Sequence, residues 1–254
     1  MSSSMKTEPF IMLLREKGSQ GSMKTIGIIG GLGPESTIEY YRSIIAAYAE
    51  RRPDGSSPSI IINSIDLKKV LDLVAANELA KLTGYLVSET QRLAKAGAEC
   101  GLVAANTPHI VFDEVRGQSS IPLISIVEAT FAAAKALGLK KLGLFGVRFT
   151  MQGRFYPDVF SKEGIALAVP DEHDQAYIHH IYLNELVKGT VRTETRERLL
   201  AIVDRLKTRE GIQGLILGGT ELSLILRDAT VHGIPVLDTT KIHVRAIVTE
   251  AFRS

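Results

Sequence analysis

The chain has 254 residues, 45% of them hydrophobic and 23% charged, with a formal net charge of +2. That is an ordinary globular balance, long enough for one large domain or two that share a core. The absence of any long Lys/Arg run argues against a nucleic-acid reader, and the single cysteine, Cys100, excludes an internal disulfide and a Cys-based zinc site.

Residues 1–22 read as a disordered extension or tag. Their apolar run, Phe10 to Leu14, is too short for a signal or membrane segment, and a Gly/Ser stretch follows it before Met23. No membrane partner is expected, and a reducing cytoplasm fits the lone thiol.

From Met23 the chain alternates short apolar runs with amphipathic stretches. Ile26–Ile29 reads as a buried parallel strand. It runs into "GGLGPEST" (Gly30–Thr37), a glycine-rich turn with Pro34 at the start of a helix. Such a turn offers N–H groups to an anion, so Gly31 and Ser36 are candidate substrate-binding residues. A dinucleotide fingerprint would need a third glycine where Ser36 stands, and an acid at the end of the next strand. That strand ends too late, near Asp66.

Ile60–Ile62 is the second strand. Asn77–Ala96 carries Leu79, Leu82, Leu86 and Leu93 at helical spacing. Cys100 opens the third strand and reads as a buried structural thiol. The strand continues through Leu102–Ala104 and ends in Asn106-Thr107-Pro108-His109. This cluster brings an amide, a hydroxyl and an imidazole to one strand end. Thr107 and His109 are candidates for acid–base work and Asn106 for substrate binding. The competing reading is a helix start, capped by Thr107, with a structural His109.

"GVRFTMQGRFY" (Gly146–Tyr156) follows the next strand, with Thr150 as a candidate hydroxyl and Arg148 or Arg154 as candidate carboxylate partners. "DEHDQAYIHHIY" (Asp171–Tyr182) holds three histidines, but His179 and His180 are adjacent and point to different helix faces, so no metal site is expected. Thr195–Leu206 reads as a helix. "GLILGGT" (Gly214–Thr220) is another apolar strand, ending at Thr220, a candidate substrate-binding hydroxyl, and followed by Glu221, a candidate catalytic carboxylate.

The chain repeats itself. "KTIGIIG" matches "KKLGLFG", "GLVAANT" matches "GLILGGT", and "IPLIS" matches "IPVLD", in the same order and at nearly equal spacing. Strand–helix alternation in each copy predicts an α/β fold: two pseudosymmetric Rossmann-like parallel-sheet domains facing an interdomain cleft. The expected division is residues 23–125 plus 232–254 for one domain and 126–231 for the other. Thr107 and Thr220 should face each other across the cleft.

"KTIGIIGGLGPEST", "ANTPH", "LFGVRFTMQGRFY", "GGTELSLIL" and "IPVLDTTKIH" together resemble the aspartate/glutamate racemase superfamily, in particular its aspartate racemase and broad amino-acid racemase branch. The resemblance runs from about Met23 to the C-terminus. It implies an isomerase that needs neither pyridoxal phosphate nor metal and inverts the α-carbon of an amino acid or dicarboxylate. It also implies a homodimer, and two cysteines facing each other across the cleft. Their positions are Ala105, directly before Asn106, and Gly219, directly before Thr220. Neither has a side chain that can move a proton. Three functions therefore stand: a racemase-like enzyme with substitute groups, a sister lyase, decarboxylase or isomerase acting on a carboxylate, and a non-catalytic binder of an amino acid.

Overall fold

The computed structural model describes residues 23–253, so the extension expected over 1–22 lies outside the described residues. Strands β1 (Ile26–Gly30), β2 (Ile60–Ser64), β3 (Cys100–Val103) and β4 (Leu123–Ile124) form one sheet, in the order β2-β1-β3-β4 and all parallel. Strands β5 (Lys141–Phe145), β6 (Ala166–Ala168), β7 (Gly214–Leu217), β8 (Thr230–Val231) and β9 (Ile234–Asp238) form the other, in the order β6-β5-β7-β9-β8. Only β8 runs antiparallel to its neighbour. Leaving β8 aside, the two sheets have the same order: second strand, first, third, fourth.

The duplication extends to packing. β1 and β3, like β7, are buried along their whole length, which is why they read as continuous apolar runs. The central glycine of the first strand in each half lets the helix above press onto it. A Cβ on Gly27 would stand 2.9 Å from Ala98 Cβ and 3.2 Å from Leu93, and one on Gly143 would stand 2.8 Å from Ile212 and 3.0 Å from Leu206. Leu93 belongs to α3 (Leu79–Lys95) and Leu206 to α9 (Thr193–Glu210).

Four further helices matter to the site: α1 (Pro34–Arg51), α2 (Leu67–Ala75), α5 (Ile126–Ala136) and α8 (Glu172–Asn184). The others are α4 (Phe112–Gly117), α6 (Arg148–Gln152), α7 (Phe155–Phe160), α10 (Leu222–Ile225) and α11 (Thr239–Ala251). No described helix is long and apolar enough to cross a membrane.

The fourth strand of each half stays in its own sheet, and the helix after it crosses to the other half. α5 packs with Leu142, Leu144 and Ile216 of the second sheet, and α11 packs with Ile26, Ile28 and Leu102 of the first. This corrects the expected return at residue 232. Ile234–Asp238 pairs with β7 as β4 pairs with β3, so only the helix from Thr239 onward rejoins the first half. The physical reason is that β9 needs the hydrogen-bonding edge of β7, whereas the apolar face of α11 needs cover against β1 and α1.

In both sheets the connection reverses direction at the first strand. The carboxyl ends of β1 and β3, and of β5 and β7, are therefore the places where such folds bind ligands.

Candidate active site

The strand-end segments of the two halves meet. The Gly30–Gly33 turn takes positive φ at Gly31 (78°) and Gly33 (136°), conformations that favour glycine. Gly31 N–H donates to Thr37 Oγ1 at 2.9 Å, so, contrary to its expected role in substrate binding, it is spent inside the turn. Gly33 lies directly against the Glu221 carboxylate of the other half; a Cβ built on it would run into Oε1.

Glu221 is 1% exposed and receives three hydroxyls. Ser36 Oγ lies 2.6 Å from Oε1, Thr220 Oγ1 lies 2.9 Å from Oε2, and Tyr182 OH donates to Oε2. Ser36 Oγ also lies 2.7 Å from Thr220 Oγ1. Thus Ser36, Thr220 and Glu221 come together and join the two halves, but Ser36 and Thr220, expected to bind substrate, turn their hydroxyls to Glu221, and none of the three lines the cavity between the halves. The helix N-terminus at α1 favours the carboxylate there. Gly33→Ala is expected to cost roughly 1–3 kcal/mol, from backbone strain and displacement of Glu221. Urea unfolding would read it, and Glu221→Ala should relieve part of the cost in the double variant. Strictly additive losses would contradict the contact.

Tyr182 was missed by sequence reasoning, which read its segment for histidines. It projects from α8, and its ring occupies the space beside Gly219. A Cβ on Gly219 would collide with the ring edge and would stand 3.1 Å from Cζ. Burial, with the charge of Glu221 as the second cause, holds the Tyr182 phenol well above its usual pKa. It is therefore a proton donor at neutral pH.

A cavity of about 30 Å³ lies between the halves, with Ala105 and Gly219 both in its wall. Among the described residues, Tyr182 is the one titratable side chain that lines it, and Asn106 and Thr107 are the other polar side chains. Asn106 is tied to the opposite half. Its Oδ1 accepts from Tyr156 OH at 2.7 Å and its Nδ2 donates to Thr239 Oγ1 at 3.3 Å. Thr107 begins a 3-10 turn, Thr107–Val111.

The structure corrects two expected roles. His109 is buried, and both ring nitrogens are engaged. Ile126 N–H donates to Nε2 at 3.1 Å, which leaves Nδ1 as the protonated nitrogen, 3.0 Å from Ala105 O. Burial, and after it the nearby His243, push its pKa down to about 3. It fixes the β4–α5 crossover against the β3 end and has no ring nitrogen free for a substrate. Thr150 is fully buried but does not line the cavity. Its methyl carbon would lie 3.0 Å from a Cβ on Gly146 or Gly218, so the side chain packs against the ends of β5 and β7, and Val147 lines the cavity instead.

Other polar candidates lie elsewhere. Arg154 pairs with Asp158 and Arg148 is exposed. Cys100 is buried at the start of β3, and burial raises its thiol to about 11. Asp171, His173 and Asp174 approach one another, but Arg205 holds Asp174 at 2.6 Å and Asp171 caps α8.

The family profile of Asp/Glu/hydantoin racemases matches residues 29–247. A broad-specificity amino-acid racemase from Bacillus subtilis (strain 168) is 24% identical over 221 residues, covering 85% of this chain and 92% of the relative. The crystal structure of a provisionally assigned Asp/Glu racemase from Yersinia pestis is 34% identical, with a TM-score of 0.82, and covers 91% of this chain and all of the other. An aspartate racemase homologue from Pyrococcus horikoshii OT3 is 33% identical over the same shares, with a TM-score of 0.78. With the duplicated sheets and the cleft between them, these likenesses place the chain: it belongs to the Asp/Glu/hydantoin racemase family.

Proposed function

We propose that this protein is an enzyme that breaks and remakes the Cα–H bond of an amino acid or a related small carboxylate, without pyridoxal phosphate and without the thiol pair. One observation carries the reading: among the described residues the one titratable side chain lining the cavity, Tyr182, lies against Gly219, whereas the Ala105 side offers the Thr107 hydroxyl and the Asn106 amide. Tyr182 reaches the cavity and Glu221 stands behind it. In the proposed step the Tyr182 oxygen takes the α-proton as its own proton passes to Glu221 Oε2, so that Glu221 is the net base, no free phenolate forms, and the C–H electron pair stays on the substrate as an enolate. Reversal returns a proton to the same face. Ser36 and Thr220 position Glu221, and Asn106 and Thr107 hold the α-carboxylate. At about 30 Å³ the cavity has room for a water or two, so this reading requires the halves to part to admit a substrate.

One-faced proton removal also serves a lyase. On a substrate with a leaving group at Cβ, the same enolate expels it instead of being reprotonated. This second reading is favoured by the same asymmetry.

The test is deuterium uptake at Cα in D2O, followed by NMR over a panel of L- and D-amino acids. The expected result is uptake with some member, cut by roughly 10²–10⁴-fold in Tyr182→Phe and in Glu221→Gln. Uptake that survives both substitutions would reject the pair. Binding without uptake or elimination for any member would leave a non-catalytic amino-acid binder.

A further inference from the structure

The cavity wall away from Tyr182 has a character that the family's dicarboxylate substrates would not suit. α2 contributes Leu67, Val70 and Leu71, and the end of α8 with the 3-10 turn after it contributes Leu183 and Val187. Val70 is buried and the other four are half-buried. Among the described residues, no arginine, lysine or histidine lines the cavity.

The cations nearby on the same elements are directed elsewhere. Lys68 pairs with Asp72 at 2.6 Å, and the Lys69 ammonium sits 3.6 Å from the centre of the Tyr85 ring. Lys188 and Arg148 are exposed and outside the lining. A second carboxylate placed against this wall would lose its hydration and meet neither a countercharge nor the amide and hydroxyl that Asn106 and Thr107 offer the first. An aliphatic side chain would gain from every methylene it buries there.

We infer that the side-chain pocket of this cleft selects a carboxylate substrate with an apolar, uncharged side chain, of the leucine or valine class, and rejects aspartate and glutamate. This rests on the proposed reading of the cleft as a substrate site, but it concerns binding and not turnover. Asn106 and Thr107 hold the α-carboxylate at one end, and the α2–α8 wall receives the side chain at the other.

The test is calorimetric titration of the full chain with L- and D-leucine, valine and norvaline against L- and D-aspartate and glutamate. One methylene in an apolar pocket is worth roughly tenfold or more in discrimination. The expected result is at least tenfold tighter binding of an aliphatic amino acid than of either dicarboxylate. Val187→Arg should narrow or reverse that preference, and Leu71→Lys is the alternative cation if that variant does not fold. Equal or tighter binding of aspartate or glutamate overturns the inference, and so does failure of the whole panel to bind. The two readings fail separately. Aliphatic binding without Cα exchange sinks the proposed reaction and keeps the selectivity, whereas dicarboxylate binding with exchange does the reverse.

Discussion

Racemisation of free aspartate and glutamate by this protein is expected to run several orders of magnitude below that of a two-thiol member of the family. A positioned acid or base contributes roughly 10²–10⁴-fold, and inversion needs one on each face, where this chain has Ala105 and Gly219. Putting the thiols back should not suffice. In Ala105→Cys/Gly219→Cys the new side chain at 219 meets the Tyr182 ring. Overpacking of that kind costs roughly 1–3 kcal/mol, so the double variant should be less stable and gain little. Adding Tyr182→Ala vacates the space, and the triple variant should racemise its bound amino acid at least ~10²-fold faster than the double. Chiral chromatography of timed samples measures all three. A double variant that racemises as well as the triple would show that the ring does not hold the thiol's place.

The second large effect is on stability in acid. His109 and His243 are both buried. His243 Nδ1 lies 2.8 Å from Tyr40 OH and its Nε2 lies 2.8 Å from Ile124 O. Burial pushes His243 down to about 4 and His109 to about 3. In the unfolded chain both titrate near ~6.5. Below that pH the unfolded state takes up two protons that the folded state refuses, so folding is favoured above about pH 6.5 and weakens as the pH falls toward 4 and then 3. While both sites are affected, the slope is ~2.7 kcal/mol per pH unit. The accumulated loss is on the order of 5–8 kcal/mol, comparable with the whole stability of many domains. Urea midpoints between pH 8 and 4 read it. His109→Gln should lower stability at pH 7 and reduce the slope by about half. A midpoint that stays flat to pH 4.5 would contradict the neutral, buried assignment.

Much of the fold could be read from the sequence because the signals were local and written twice. The apolar runs around Gly27 and Gly143, and the clusters after Val103 and Leu217, each mark a buried strand and its polar end. The parallel of "IPLIS" with "IPVLD" also held the correct place of β9: the second copy had to close its own sheet as the first does. Assigning it to the first half confused the strand with the helix after it.

The site was less legible, because its decisive contacts join distant residues. Ala105 O and Ile126 N–H fix the tautomer of His109, and nothing near His109 in the sequence announces them. Tyr182 meets Gly219 and Glu221 through the packing of α8 onto the second sheet. The available signal was indirect: a glycine where the resemblance implies a cysteine leaves a space to be filled, and Tyr182 stands four residues after Ile178 on the buried face of its helix. The meeting of Ser36, Thr220 and Glu221 was legible in placement, because Thr220 and Glu221 follow a repeated strand and Ser36 opens the helix after another.

In the proposed reaction protons enter and leave the α-carbon from one face, and the stereochemical course of exchange tests this most directly. The amino acid that takes up deuterium fastest would be incubated as a single enantiomer in D2O. Mass spectrometry and chiral chromatography of the same samples would then give label and configuration together. The result predicted is α-deuterium approaching one atom per molecule while the configuration is retained. Inversion keeping pace with label from the first turnover would require a second acid on the Ala105 face and would contradict the account.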